Sequence, residues 1–172
     1  SYLLPSPLQI FHTTVELWPE IFAATLSTAQ SISWGLGLSI LSGVTLALLF
    51  FAIPIARRAI LPFCIFFQTV PIISIAPLLV IWFGFGQPTV RASAFIVSLF
   101  PILANTLTGL QETDPQLKEL FKLYKPSVWQ LIFRLQIPSA IPYMLTGIKI
   151  SAGLAVIGAI VGEFIAGGGL GS

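Results

Sequence analysis

The spacing of charged residues is the most informative pattern in this sequence. Asp, Glu, Lys and Arg are absent from residues 21–56, 59–90 and 92–111, and Lys149 is the one charged residue within 135–162. A membrane-spanning helix needs about 20 apolar residues, because a charge near the bilayer centre is costly. The pattern therefore predicts an all-α integral membrane protein, a bundle of four spanning helices at about 21–53, 60–83, 92–110 and 139–165.

Composition agrees with a lipid environment. Of the 172 residues, 56% are hydrophobic and 8% charged, and the mean hydropathy is +0.96. A chain of this length has too much surface to hide so many apolar side chains from water. The net charge of +2 is too small to indicate a nucleic-acid partner, and the single cysteine, Cys64, cannot form an internal disulfide. We predict one membrane-spanning domain over residues 1–172.

Two of the predicted spans carry ridges of small residues. In the first span small side chains recur at every fourth position, and the fourth span repeats the pattern. Such ridges let another helix approach closely, so they should face protein rather than lipid. The pattern leaves open whether they pack within one subunit or between two subunits. The ridge residues are Ser27, Ser31, Gly35, Ser39 and Gly43 in the first span, and Gly147, Ser151, Ala155, Ala159, Gly158 and Gly162 in the fourth.

Polar residues and prolines meet in the second span. Pro62, Pro71 and Pro77 each remove a helical hydrogen bond, and Gln68, Thr69 and Ser74 lie among them. Irregular backbone at membrane depth is tolerated where it is buried in protein or lines a wet cavity. We expect these three polar residues, with Asn105 of the third span, to border a translocation pathway. A kinked helix packed in dry contacts is the alternative.

Basic residues indicate the orientation of the chain. Cytoplasmic loops are enriched in Lys and Arg, and six of the eight basic residues fall on one side of the predicted spans. The opposite set of loops holds Arg91, while Lys149 lies far enough along the fourth span to snorkel towards the basic side. The loop 111–137 is therefore predicted to be cytoplasmic. The six residues are Arg57, Arg58, Lys118, Lys122, Lys125 and Arg134.

This cytoplasmic loop is long enough to have its own structure. Asp114-Pro115 is typical of a helix start, and an apolar stripe through Leu117, Leu120, Phe121 and Tyr124 follows. Lys125-Pro126 then interrupts the helix. Ser127 and Gln130 fit a capping box that starts a second helix, which we expect to end at Pro138 and Pro142. The loop should form a helical hairpin.

The hairpin sequence carries a family resemblance. Residues 119–143 resemble the EAA loop of binding-protein-dependent ABC importer permeases. The alanines of that loop are replaced here by Leu120 and Phe121, and its glycine by Lys125, where Pro126 can supply the break. The positions that match at the family's spacing are Glu119, Trp129, Gln130, Pro138, Pro142 and Tyr143.

The resemblance extends over almost the whole chain, to the nitrate, sulfonate, taurine and pyrimidine-precursor branch of that family. Members of the family usually have about six spans, so the resemblance implies that this chain is a fragment lacking the first and last. The similar segments are Leu4-Pro5-Ser6-Pro7, Ala76-Pro77-Leu78-Leu79 with Trp82-Phe83-Gly84, Phe100-Pro101-Ile102 with Asn105-Thr106, and Glu163-Phe164.

The resemblance also implies a mechanism. Two permease subunits, expected as a homodimer, would form the pathway in the bacterial inner membrane, and a periplasmic or lipid-anchored binding protein would deliver substrate. Two ABC ATPase subunits would hold ATP and Mg, since this chain has no phosphate-binding loop and is expected to bind no cofactor or metal itself. The residues implied to couple to the ATPase are Glu119, Lys122, Lys125, Pro126, Ser127 and Trp129.

Two other classes of function compete with an importer permease. An intramembrane enzyme would need paired carboxylates, a metal cluster or an activated nucleophile, and the spans contain none. Glu163 is the only acid near a span, and we interpret it as an interfacial or gating residue without a visible partner. A channel or ion-coupled secondary transporter could also have broken helices, but it would not explain the amphipathic hairpin.

Overall fold

The structure is a computed structural model that describes residues 6–124 and 127–167. Helices joined by short turns account for all of this part of the chain. They are α1 (Pro7–Glu16), α2 (Trp18–Ala52), α3 (Pro54–Thr69), α4 (Ile72–Phe83), α5 (Gln87–Gln111), α6 (Pro115–Leu123), α7 (Val128–Leu131), a π-helical segment (Ile132–Gln136) and α8 (Ile137–Ala166).

The bundle is built around α5, which packs against both α2 and α8. Small residues explain the close packing on both sides. A β-carbon added at Gly35 of α2 would lie 2.7 Å from the β-carbon of Ala94. One added at Gly158 of α8 would lie 2.8 Å from the carbonyl oxygen of Ser93. The two predicted ridges therefore pack within this chain, against the same helix, and both meet it at Ala94 and Ile102.

A chain of hydroxyl contacts runs across these three helices. The Ser39 hydroxyl of α2 lies 2.7 Å from that of Ser98 on α5 and donates to the Phe95 carbonyl at 2.8 Å. From the other side, the Ser151 hydroxyl of α8 donates to the Ser98 carbonyl at 2.6 Å. All three serines are fully buried. Polar side chains thus join the helices where bilayer lipid could not satisfy them.

The second predicted span is two helices rather than one. α3 ends at Thr69 and α4 begins at Ile72, and Val70 between them is extended (φ −75°, ψ 123°). Pro71 explains the break, because a proline disfavours the helical region for the residue before it. Pro62 and Pro77 remain inside their helices. In the described part of the chain three helical stretches are therefore long and apolar enough to cross a membrane unaided: Trp18–Ala52, Gln87–Gln111 and Ile132–Ala166.

Residues 53–86 nevertheless connect opposite ends of the bundle. Phe50, near the end of α2, packs with Leu103 and Leu107 near the end of α5. At the other end, the Gly86 amide donates to the Ala166 carbonyl at 3.0 Å, which ties the start of α5 to the end of α8. Gly84 and Gly86 have φ of 80° and 85°, so this tight connection requires glycine. α3 and α4 together run from one end of the bundle to the other, where one helix was expected.

Candidate functional site

The loop between α5 and α8 contains the predicted helical hairpin. Its first helix, α6, begins as Asp114 predicts: the carboxylate accepts from the Gln116 amide at 2.8 Å, and the Asp114 carbonyl accepts from the Lys118 amide at 3.0 Å. The Lys118 ammonium donates to the Gln111 carbonyl at the end of α5, at 3.3 Å. These bonds fix where α6 leaves the bundle.

The outer surface of the hairpin is apolar and exposed. Leu120 is 56% exposed, Leu123 79% and Tyr124 81%, and Phe133 beyond the turn is 60% exposed. Glu119 lies on the same helix and its carboxylate is in solvent. An exposed apolar patch next to a charge is typical of a surface that binds another protein.

The remaining predicted coupling residues are distributed over the turn and the second helix. Lys122 lies on α6 and Trp129 on α7, while Lys125 and Pro126 fall outside the described residues. The predicted capping box is confirmed: the Ser127 hydroxyl accepts from the Gln130 amide at 3.3 Å, and the Gln130 side chain accepts from the Ser127 amide at 3.0 Å.

The end of the second hairpin helix differs from the prediction. We expected Pro138 and Pro142 to close it, but the helix continues from α7 through the π-helical segment into α8. Inside an α-helix the Pro138 ring would clash with the carbonyl four residues earlier. The wider π-helical turn just before Pro138 keeps the chain helical. The hairpin is therefore joined to a spanning helix without a loop.

The base of the hairpin is fixed to the bundle. Gly109 of α5 is in close contact with α8, since an added β-carbon would lie 2.7 Å from that of Tyr143 and 3.0 Å from the Ala140 α-carbon. Thr113, just after α5, is 2% exposed. A force applied to the hairpin can therefore reach α5 and α8 directly.

The four predicted pathway residues do not form one cluster. Gln68, Thr69 and Ser74 are exposed on either side of the α3–α4 break. Asn105 is half-buried on the side of α5 that faces α8, because an added β-carbon at Gly147 would lie 3.0 Å from its own. α3 meets α5 on a different side, through the cluster that contains Leu103 and Leu107. Sequence spacing alone could not separate the two locations.

A second polar cluster, at the end of the bundle opposite the hairpin, contains the acid near the fourth span. We expected Glu163 to be interfacial and without a partner; instead it is fully buried, and its carboxylate accepts from the Thr28 hydroxyl at 2.5 Å. On the adjoining turn of α2, Ser31 donates to the Gln87 side chain, and the Gln87 amide donates to Ser27 at 2.6 Å. These contacts join α2 to the start of α5 and the end of α8. The partners are 135 residues apart in the chain, so local spacing gave no signal.

Thr28→Val is expected to lower the free energy of unfolding by about 1–2 kcal/mol, because it removes a buried hydrogen bond to a carboxylate. Thermal unfolding in detergent would measure this. Thr25→Val is the matched control, since the Thr25 hydroxyl is exposed and bonds only to Ile21 of its own helix in the contacts described. Equal effects of the two substitutions would contradict a role for Thr28 in joining the helices.

Within residues 6–124 and 127–167, no group of three or more His, Cys, Asp or Glu side chains comes together to hold a metal ion. The features that stand out are an exposed hairpin, its rigid base and a broken helix pair with polar side chains.

Comparison with known proteins decides the family. Residues 35–172 match the family model described as binding-protein-dependent transport system inner membrane component. This match covers both the bundle and the hairpin. The chain belongs to that family. The predicted resemblance to importer permeases is thereby confirmed.

Individual relatives in the family are transport permeases by name. The chain is 44% identical over 165 residues to the formylaminopyrimidine transport permease protein ThiX of Halalkalibacterium halodurans, covering 95% of this chain and 66% of the relative. It is 33% identical to a probable ABC transporter permease protein of Haemophilus influenzae, covering 95% of this chain and 67% of the relative. It is 27% identical to the putative aliphatic sulfonates transport permease protein SsuC of Bacillus subtilis, covering 95% of this chain and 60% of the relative. The chain thus spans about two thirds or less of the length of these curated relatives.

Proposed function

We propose that this chain is the membrane-spanning part of a permease subunit in an ATP-driven importer. One observation carries the proposal: a family match over residues 35–172 coincides with an exposed, rigidly anchored hairpin between two spanning helices. The bundle would form part of the route for the solute. The hairpin would receive the movement that ATP hydrolysis generates in a separate ABC ATPase subunit.

The basic residues support an orientation for this assembly. The hairpin loop 111–137 would face the cytoplasm, with the Glu163 cluster and the Gly84–Gly86 turn at the outer face of a bacterial cytoplasmic membrane. Two ATPase subunits would bind the two hairpins of a permease homodimer. A periplasmic or lipid-anchored binding protein would dock on the outer face, near the exposed side chains of Trp82, Phe85 and Phe164.

Pathway lining is proposed for the region of the helix break. Gln68, Thr69 and Ser74 are exposed polar residues between apolar helices, and exposed polar groups at membrane depth are favourable where they meet a wet cavity. Asn105 would contribute through the opposite side of α5, at its contact with α8. The solute would be a small polar molecule, because relatives are named for formylaminopyrimidine, aliphatic sulfonates and nitrate.

Co-purification with neighbouring gene products tests the proposed function. We expect the full-length protein, expressed with the genes beside it, to form a complex with an ATPase subunit whose hydrolysis depends on the permease. In proteoliposomes, uptake should require ATP and the binding protein. Uptake by the subunit alone, driven by an ion gradient, would instead support a secondary transporter and contradict the importer.

A further inference from the structure

The π-helical segment Ile132–Gln136 lies between the hairpin and α8. The Ile137 amide donates to the Ile132 carbonyl, five residues earlier, where an α-helix would bond residues four apart. Such turns are rare and often occur at functional positions in helices. Here the turn stands at the only helical link between the hairpin and a spanning helix in the described part of the chain.

Pro138 explains why the wide turn forms at this point. In an α-helix its ring would clash with the carbonyl of Arg134, four residues earlier, and it has no N–H to donate to that carbonyl. A wider turn moves the Arg134 carbonyl away from the ring. Pro142, however, sits inside α8 with α-helical geometry. A proline is therefore compatible with an α-helical turn elsewhere in this helix.

A buried polar atom shows that the π-helical form is not fully satisfied. Gln136 is 6% exposed, and its side-chain oxygen Oε1 is buried without a hydrogen-bond partner among the described residues. Leu135 beside it is also buried. An unpartnered buried amide oxygen raises the free energy of the state that contains it. If the segment rotated so that the Gln136 oxygen gained a hydrogen bond, that bond would offset the free energy lost with the present packing.

The structure on each side of the segment is rigid. On one side, Ala140 and Tyr143 are held against Gly109, so α8 cannot rotate there without separating from α5. On the other side, the Ser127–Gln130 capping box fixes the start of the second hairpin helix. Residues 132–136 therefore lie between two fixed points, where the second hairpin helix can change its orientation relative to α8.

We propose that Ile132–Gln136 is a hinge that switches between π-helical and α-helical turns as the ATPase moves the hairpin, with Pro138 and Gln136 as its positioning residues. The inference rests on the proposed coupling to an ATPase and adds the element that transmits it. Converting the π-helical turn to α-helix changes the helical phase between α7 and α8, so the second hairpin helix turns about the α8 axis and shifts along it by about 1.5 Å.

Distance measurements between spin labels test the hinge in the full-length permease–ATPase complex. One label at Leu123 on the hairpin and one at Lys149 on α8 occupy exposed positions, with Cys64 replaced by serine. In the parent complex we expect the separation to differ by about 3 Å or more between the nucleotide-free and the ATP–vanadate states, because rotation displaces a label well off the helix axis.

Two substitutions should fix this distance at different values. P138A restores the N–H and removes the ring, so it favours the α-helical turn by at least about tenfold. Gln136→Met keeps the side-chain volume but removes the unpartnered oxygen, so it favours the π-helical turn. In each variant the label-to-label distance should differ little between the two nucleotide states. The two variants should hold that distance at opposite ends of the range that the parent complex covers. P142A, which removes a proline from the same helix, is the control and should move as the parent does.

The outcomes separate the hinge from the proposed function. A complex that does not assemble with an ATPase, or whose parent hairpin does not move, would overturn the proposed coupling and the hinge together. A parent complex that moves while P138A and Gln136→Met move equally would overturn the hinge alone. Opposite fixed distances in the two variants, with P142A unchanged, would support it. Retained ATPase binding shows that each variant is folded.

Discussion

Glu119→Lys is expected to reduce binding-protein-dependent uptake by about tenfold or more, because reversing a charge in a docking surface places like charges against a partner built to receive an acid. The carboxylate is exposed on α6, beside the exposed apolar residues Leu120 and Leu123. It lies outside the spanning helices, so insertion and thermal stability should not change. The measurements are ATPase co-purification, stimulation of hydrolysis and uptake.

Glu112→Lys is the matched control for this charge reversal. Glu112 is also exposed and lies only seven residues earlier, at the end of α5 rather than on the hairpin. A general electrostatic effect at the hairpin end of the bundle would alter both variants. If Glu119→Lys binds and stimulates the ATPase as the parent does, Glu119 is an ordinary solvated residue, whose charge contributes about 0–1 kcal/mol.

Gly158→Ala should be the most destabilising of the small substitutions in the bundle. The added β-carbon would lie 2.6 Å from the Val97 Cγ2 atom, 2.8 Å from the Ser93 carbonyl oxygen and 3.0 Å from the Ala94 α-carbon. Two of these atoms belong to the α5 backbone, so they cannot rotate away and α5 must separate from α8. Overpacking of this kind costs about 1–3 kcal/mol.

Gly153→Ala, on the same helix, provides the comparison. Apart from the backbone of its own helix and its chain neighbours, no atom of the described residues lies within 4 Å of a β-carbon at this position. The substitution should therefore be neutral, or stabilising by up to about 1 kcal/mol through the higher helix propensity of alanine. Unfolding measurements on both variants in the same detergent decide the matter. Similar stabilities would show that α5 and α8 are not in the close contact described.

Patterns with short periods could be predicted from the sequence. The uncharged intervals placed three long helices to within a few residues of α2, α5 and α8, because lipid imposes the same requirement along each span. The ridge of Gly35 and Ser39 was predicted to face protein, and it does. The capping box at Ser127 could also be predicted, because Ser127 and its partner Gln130 lie within one helical turn.

Features set by tertiary contacts could not be predicted in this way. Glu163 finds its partner Thr28 on a distant helix, and only packing brings them together. Polarity alone groups Asn105 with Gln68. In the structure Asn105 lies where α5 faces α8, whereas Gln68 lies at the end of α3. The sequence predicts that Pro138 ends the second hairpin helix, because proline usually breaks a helix. A π-helical turn before Pro138 instead allows the helix to continue. The coupling role of the hairpin residues and the pathway role of Gln68, Thr69, Ser74 and Asn105 stay predictions.

The hydroxyl contacts among Ser39, Ser98 and Ser151 affect which alignment of the helices is chosen. Glycine ridges permit close approach at several alignments, because sliding one helix by a turn brings small residues opposite small residues again. Each hydroxyl could bond its own helix if the bundle came apart, so the contacts between helices add only about 0.6 kcal/mol each to stability. They are satisfied together, however, at a single register. The serines would thus set the register in which the helices assemble in the membrane. Removing them should give bundles with shifted helix registers before it lowers stability appreciably.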